Sequence, residues 1–219
     1  MLSSWTLAAA LTLTGAAQWL MDVFFSLDKA ILAWYHGLAE AAGSILTPIA
    51  DLISWTGWKG LALIIAAVVL LCFKKTRRTG ICACLALAIG YVLVNVLIKP
   101  AVARPRPYDY DAELRTWWEY TKAMSFSPKE GDKAFPSGHM NAACAFSGAV
   151  VFSRGKKWFP WMLLYVVLMG MSRNYLIVHY PSDVFFAFLT GTLAALAAAL
   201  IVSAIYKKWG NSKLLRDTH

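Results

Sequence analysis

Residues 136–183 read PSGHMNAACAFSGAVVFSRGKKWFPWMLLYVVLMGMSRNYLIVHYPSD, and their pattern decides the fold class. Two apolar runs, 137–153 and 158–177, each approach the roughly 20 residues a helix needs to cross the hydrocarbon of a bilayer. A short basic turn of Arg154, Lys156 and Lys157 separates them. Polar side chains collect at the two far ends, with Ser137 and His139 opening the first run and Arg173, His179 and Asp183 closing the second. The stretch therefore predicts a hairpin of membrane helices, cationic at its turn and reactive at its open end.

Similar runs flank it. Residues 80–98 and 183–206 are apolar throughout, and 52–73 adds a fifth run whose Trp55, Trp58 and Lys59 fit an interfacial collar, with Lys59 snorkelling toward water. Residues 5–25 carry Gln18 and Asp22 and read as a weak span or an amphipathic interfacial helix. Residues 30–53, with His36, Glu40 and Asp51 at intervals, read as an interfacial helix. The expected fold is an all-α integral membrane bundle of about six transmembrane helices. It forms one domain over 1–219, with its core at about 52–206 and 1–51 as the weak span plus interfacial helix.

Composition agrees, with 59% of residues hydrophobic and 15% charged, against about a quarter charged in soluble domains. The formal charge of +9 does not point to nucleic acid, because the lysines and arginines stand between apolar runs and not on one solvated face. The first basic residue is Lys29, so the cationic start of a secretory signal is missing and 5–25 is expected to remain in the mature protein. Cys72, Cys82, Cys84 and Cys144 show no metal-like spacing and read as buried thiols.

Basic residues near span ends are retained in the cytoplasm. Lys74, Lys75, Arg77 and Arg78 form one such cluster, Arg154, Lys156 and Lys157 a second, and Lys207, Lys208, Lys213 and Arg216 a third. An even number of crossings between them puts all three on one side, so 99–136 and 178–182 are expected to face outward. Those two connections hold nearly all the residues capable of chemistry.

Three strings do so. Lys99 is followed after six residues by Arg106-Pro107; Pro136-Ser137-Gly138-His139 opens a helix; Ser172-Arg173 is followed by His179 and then Asp183. Lys99, Arg106 and Arg173 are three cations with few anions near them in sequence, and a polyanionic ligand resolves that charge, with arginine forks matching phosphate oxygens. Pro136 as the first helical residue would leave the amides of Ser137, Gly138 and His139 free at the positive end of the helix dipole. Asp183, in the first turn of a helix starting near Tyr180, reaches back to His179, fixing its tautomer and aiming the other ring nitrogen at a phosphorus atom. His139 then serves as general acid and, later, as the base that activates water. A two-histidine, one-carboxylate metal site is disfavoured because the three cations would repel a divalent ion.

These strings resemble the three signature motifs of the type 2 phosphatidic acid phosphatase (lipid phosphate phosphatase and haloperoxidase) superfamily. Eleven fixed positions match in order, each with a chance of about one in twenty on average composition. The resemblance implies a metal-independent enzyme with a six-helix core and no cofactor. It implies that Lys99, Arg106, Ser137, Gly138 and Arg173 bind phosphate, that His179 is the nucleophile, Asp183 its partner and His139 the acid. Arg104 lies outside the signature and is assigned only a head-group contact. Asn95 reads as helix packing or pocket floor, and His36 as structural. The aromatic residues Tyr108, Tyr110, Trp117, Trp118 and Tyr120 read as a membrane-resting lip or anchor.

The expected function is a phosphatase that removes a terminal phosphate from a lipid phosphate or diphosphate through a phosphohistidine, with undecaprenyl diphosphate the favoured substrate. The expected place is the cytoplasmic (inner) membrane, multi-pass, with the site facing the periplasm or exterior. Its partners are the lipid substrate and the bilayer; sequence is silent on oligomeric state. Competing readings are a phosphatidylglycerophosphate or phosphatidic acid phosphatase, a lipid phosphotransferase, a vanadium haloperoxidase, and a non-catalytic lipid-phosphate binder or transporter.

Overall fold

The computed structural model describes residues 13–209, and the described residues form helices joined by turns, without strands. The first helix, α1, runs Gly15–Thr56, capped by the Thr14 hydroxyl, which accepts from the Ala17 amide at 3.1 Å. It joins two segments that the sequence separates, bending at Ala42 (φ −146°, ψ 26°) and carrying Pro48 inside. The acids that argue against burial are accommodated individually. Asp51 is fully buried and accepts from Ser125 Oγ at 2.9 Å, Phe126 N at 2.9 Å and Ser127 Oγ at 2.6 Å. Of the weak span at 5–25, residues 5–12 lie outside the described residues.

The apolar run at 52–73 is divided. Lys59 (φ 50°) and Gly60 (φ 68°) turn the chain in the left-handed region, and α2 follows as Leu61–Cys72. Helix α3, Arg77–Tyr91, continues through a π-helical turn, Val92–Ile98, into the short α4, Lys99–Val102. Then come α5 (Pro107–Tyr110), α6 (Ala112–Lys122), α7 (Gly138–Arg154), α8 (Phe159–Tyr175) and α9 (Pro181–Trp209). Three helical runs, Gly15–Cys72, Lys74–Tyr110 and Pro181–Lys208, are long and apolar enough to cross a membrane. At 17 residues each, α7 and α8 reach about 26 Å, just short of a typical hydrocarbon core.

Helices α3, α7 and α9 pack through small residues, including Ala83, Ala86, Ala145, Ala149, Ala195 and Ala198. That is how helices associate where lipid removes the hydrophobic drive and close backbone approach must supply the contact. Gly191 shows the tightness: a Cβ there would lie 2.5 Å from the Asn141 carbonyl oxygen and 2.7 Å from Cys144 Cβ. Large apolar side chains such as Val68, Trp161, Leu164, Leu193 and Leu200 face outward instead. The inside is small and the outside greasy, the arrangement of a bundle solvated by lipid.

The basic ends of α3, α7 and α9 meet. Arg78 stacks on Tyr206 at 5.1 Å and donates to Ser203 Oγ at 3.3 Å, while Arg154 donates to the Lys75 carbonyl at 3.3 Å. The opposite ends of the same helices carry Lys99, Gly138 and Asp183. Cys82 and Cys144 are buried as expected, but Cys72 is exposed at the end of α2.

Candidate active site

His179 stands in the connection between α8 and α9. The chain reverses tightly there: Leu176 N donates to Ser172 O at 3.0 Å, Ile177 N to Asn174 O at 3.0 Å, and Val178 N to Arg173 O at 3.3 Å. Ile177, fully buried, takes a positive φ of 54°, unusual for a β-branched residue and a mark of backbone held by its surroundings. The reversal brings His179 back beside Arg173. Its Nε2 lies 3.4 Å from Arg106 Nη1 and 3.9 Å from Glu130 Oε2, and its Nδ1 lies 3.6 Å from Asp183 Oδ2. One ring nitrogen thus faces the Arg106–Glu130 pair and the other the Asp183 carboxylate. Burial, then the positive fields of Arg106, Arg173 and Lys99, holds the imidazole well below its ordinary pKa, which favours the neutral ring.

The other expected residues converge on the same end of the bundle. Arg106 is buried, with Nη1 donating to the Val178 carbonyl at 2.7 Å. Arg173 is buried and bonded to Ser54 Oγ of α1. The Lys99 ammonium would lie 3.9 Å from a Cβ on Gly138, and Asn95 Oδ1 3.4 Å from it, so the π-helical turn and the start of α7 stand against each other. Asn95 is therefore part of the cavity wall.

Two sequence expectations are corrected here. Pro136 is not the first helical residue: it follows Phe135 through a cis peptide bond, Ser137 is the N-cap, and α7 starts at Gly138. The Ser137 amide is also not free, since it donates to the Asp183 carbonyl at 3.2 Å. The Gly138 and His139 amides, the first of the helix, have no intrahelical acceptor.

Sequence reasoning missed the acids. The loop after α6 places Glu130 and Asp132 on the cations: Glu130 Oε2 is 2.7 Å from Arg106 Nη2, Glu130 also pairs with Arg173, and Asp132 pairs with both Lys99 and Arg106. Burial opposes ionisation of both, but the charges of Arg173 and Arg106 on Glu130, and of Arg106 and Lys99 on Asp132, hold the two carboxyls below their usual range. The available signal was complementarity, since these are the only acids in 123–136, beside an excess of cations. Tyr108 holds the loop by donating to the Glu130 carbonyl at 2.7 Å and packing on Trp118 at 4.6 Å. Trp117 and Tyr120 pack around His36 at 5.3 and 5.4 Å, which gives His36 its structural role. The aromatic group is thus largely a clamp on the loop and on α1, and only Tyr110 and Tyr120 stay exposed, at 38% and 43%.

Arg104 is the third correction. It is fully buried behind the site, bonded to Asp28 and Asp183, and presents nothing to a head group.

Beside His139 lies a cavity of about 720 Å³, with His179 buried behind its lining. Lys99, Glu130, Asp132 and His139 line its polar end, and Ile64, Leu87 and Tyr91 line an apolar wall between α2 and α3.

A membrane-embedded helical bundle with buried cations, a helix start and an oriented imidazole at one end defines a class of proteins built to hold a phosphate-like anion at a membrane. Within that class the chain belongs to the PAP2 superfamily, which it matches over residues 79–207. It is 32% identical over 136 residues to an undecaprenyl-diphosphatase of Sulfolobus acidocaldarius, a match covering 61% of this chain and 60% of that protein. It is 29% identical over 181 residues to undecaprenyl-diphosphatase BcrC of Bacillus subtilis, covering 83% of this chain and 82% of that one. The crystal structure of Aquifex aeolicus LpxE superposes with a TM-score of 0.59 at 21% identity, covering 76% of this chain and 93% of the other. A PAP2-type phosphatidylglycerolphosphate phosphatase of Bacillus subtilis gives 0.52 at 24% identity, covering 89% and 98%.

Proposed function

We propose that this protein hydrolyses a lipid phosphate or diphosphate, with undecaprenyl diphosphate its substrate, at the outer face of the cytoplasmic membrane. The observation that carries the reading is the setting of His179, a neutral ring with Nε2 toward Arg106 and Nδ1 toward Asp183.

Nε2 attacks phosphorus in line with the departing lipid oxygen. The P–O bond breaks, its electron pair goes to that oxygen, and His139 supplies the proton. Water, deprotonated by His139, then breaks the N–P bond, and inorganic phosphate leaves. Lys99, Arg106, Arg173 and the first amides of α7 stabilise the equatorial oxygens, the dominant contribution to phosphoryl transfer. Asp183 balances the positive charge that His179 acquires. The apolar wall beside the site suits the first part of a hydrocarbon tail, which supports a lipid over a soluble phosphate ester. Two similar proteins named undecaprenyl-diphosphatases support the choice of lipid. The shared end of the three basic clusters supports an outward-facing site by the retention of lysine and arginine in the cytoplasm.

The test is phosphate release by the purified protein in detergent, across prenyl and diacyl phosphates and diphosphates, with EDTA present and no acceptor lipid. Release fastest from undecaprenyl diphosphate supports the reading. No phosphate release without acceptor, with the phosphoryl group appearing on an added acceptor alcohol, makes the protein a phosphotransferase, and loss of activity in EDTA overturns the metal-independent mechanism.

A further inference from the structure

Behind the site lies a second, wholly buried charge cluster, of which the mechanism above uses Asp183 alone. Arg104 Nη1 donates to Asp183 Oδ1 at 2.6 Å and to Ser182 Oγ at 2.8 Å; its Nη2 donates to Asp28 Oδ2 at 2.9 Å; its Nε lies 3.3 Å from Met21 Sδ. The guanidinium rests 3.9 Å over the ring of Tyr180. Asp28, on α1, also accepts from Ser182 N at 2.8 Å and from Ser182 Oγ at 2.6 Å. Asp183 spends its other oxygen, Oδ2, on the Tyr180 amide at 2.9 Å and faces His179 with that same atom. Every guanidinium nitrogen of Arg104 is engaged, and Arg104 does not line the cavity.

Two features decide what this cluster does. Arg104 and the Tyr180 amide grip Asp183 from two sides, so its carboxylate cannot rotate away from His179. Pairing with one arginine would also neutralise Asp183 and weaken its field at the ring. Here the single guanidinium is shared with Asp28, so the trio of one cation and two carboxylates keeps a net negative charge next to the imidazole that becomes cationic.

We propose that Arg104 and Asp28 are positioning residues for the His179–Asp183 couple, with Asp28 contributed by α1, outside the 79–207 segment matched to the superfamily. The proposal rests on the phosphohistidine reading and deepens it. It makes α1 part of the catalytic apparatus as well as of the packing.

Arg104→Lys keeps the charge but cannot bridge both carboxylates, and Asp28→Asn keeps the shape but makes the trio neutral. Each is expected to lower kcat about 10-fold to 100-fold, the range for groups that orient a reactive residue from behind. KM and the inhibition constant of inorganic phosphate, which report the Lys99, Arg106 and Arg173 cradle, should stay within about twofold. Thermal melts establish that the variants are folded, and Ser182→Ala, which deletes one hydroxyl between the two charges, carries the test if the charge variants do not fold, with kcat expected down about threefold. An unchanged kcat in every folded variant, or a parallel weakening of phosphate binding, overturns the proposal. His179→Ala is measured alongside: an active His179→Ala protein defeats the phosphohistidine reading, whereas an inactive one beside fully active Arg104 and Asp28 variants defeats only this inference.

Discussion

Glu130→Gln is the substitution with the least intuitive expected outcome: removing a buried acid from the cation cluster should tighten phosphate binding. The Glu130 carboxylate holds Arg106 at 2.7 Å and also pairs with Arg173, so incoming phosphate must take over donors that are already engaged. A hydrogen bond between charged groups is worth about 1.5–3 kcal/mol net and a neutral one about 0.5–1.5 kcal/mol, so an amide competes less by about 1 kcal/mol at each arginine. Glu130 is 20% exposed. Solvent screening trims the sum of about 2 kcal/mol to about 1.4 kcal/mol, a tenfold change in affinity. The assay is competitive inhibition by inorganic phosphate at fixed lipid substrate in detergent, checked by calorimetric titration of phosphate into the protein. The inhibition constant should fall about tenfold. Asp132→Asn should fall less, because its side chain is 53% exposed. An inhibition constant that is unchanged or higher in Glu130→Gln would refute displacement as the step that limits affinity, and would mean that Glu130 holds the arginines in place for the ligand.

Three more expectations concern the histidines. His139→Ala should lose more rate with a prenyl phosphate, whose alkoxide leaves poorly, than with an activated aryl phosphate, and equal losses would remove the general-acid role. The acid limb of kcat/KM should lie below pH 6.5, the ordinary histidine value, because burial and the charges of Arg106, Arg173 and Lys99 lower the His179 pKa and the reactive form is the neutral one; a limb at or above 6.5 in a full pH profile would contradict this. Gly57→Ala should cut kcat about tenfold or more with a small loss in Tm, because its Cβ would stand 3.0 Å from His139 Cδ2, 3.3 Å from His139 Cβ and 2.9 Å from Met169 Cε; Met169 can yield, and the imidazole must then shift from its place. Normal turnover in that variant would show that His139 tolerates displacement.

What the sequence made legible was whatever is set by residues close together in the chain. Helices α7, α8 and α9 begin and end within three residues of the expected runs, because apolar length, basic turns and the prolines at 136, 160 and 181 act locally. The convergence of Lys99, Arg106, Arg173 and His179 was legible too, since each stands near a helix end or in a connection on the same side of the bundle. What was hidden depends on partners far along the chain. Gln18, Asp22, His36, Glu40 and Asp51 made the segments of α1 look too polar to be packed inside, yet Asp51 meets the 125–127 turn, and Asp28 in the same helix meets Arg104 and Ser182. The cradle also looked like unbalanced positive charge needing an outside anion. The ion pairs at this end correct that picture: the buried Lys99, Arg104, Arg106 and Arg173 pair with the buried Asp28 and Asp183 and with the loop acids Glu130 and Asp132, four cations to four anions. The two halves differ in what they can exchange. Asp28 and Asp183 are sealed behind the histidine and cannot be displaced, whereas Glu130 and Asp132 lie on a loop that borders the cavity. On the proposed function, phosphate binding is an exchange of one set of acidic oxygens for another on the same cations, and its affinity is the small difference between two large and similar interactions. That is why a single amide in place of a loop carboxylate should register so clearly, while neutralising an acid on the sealed side should register in kcat alone.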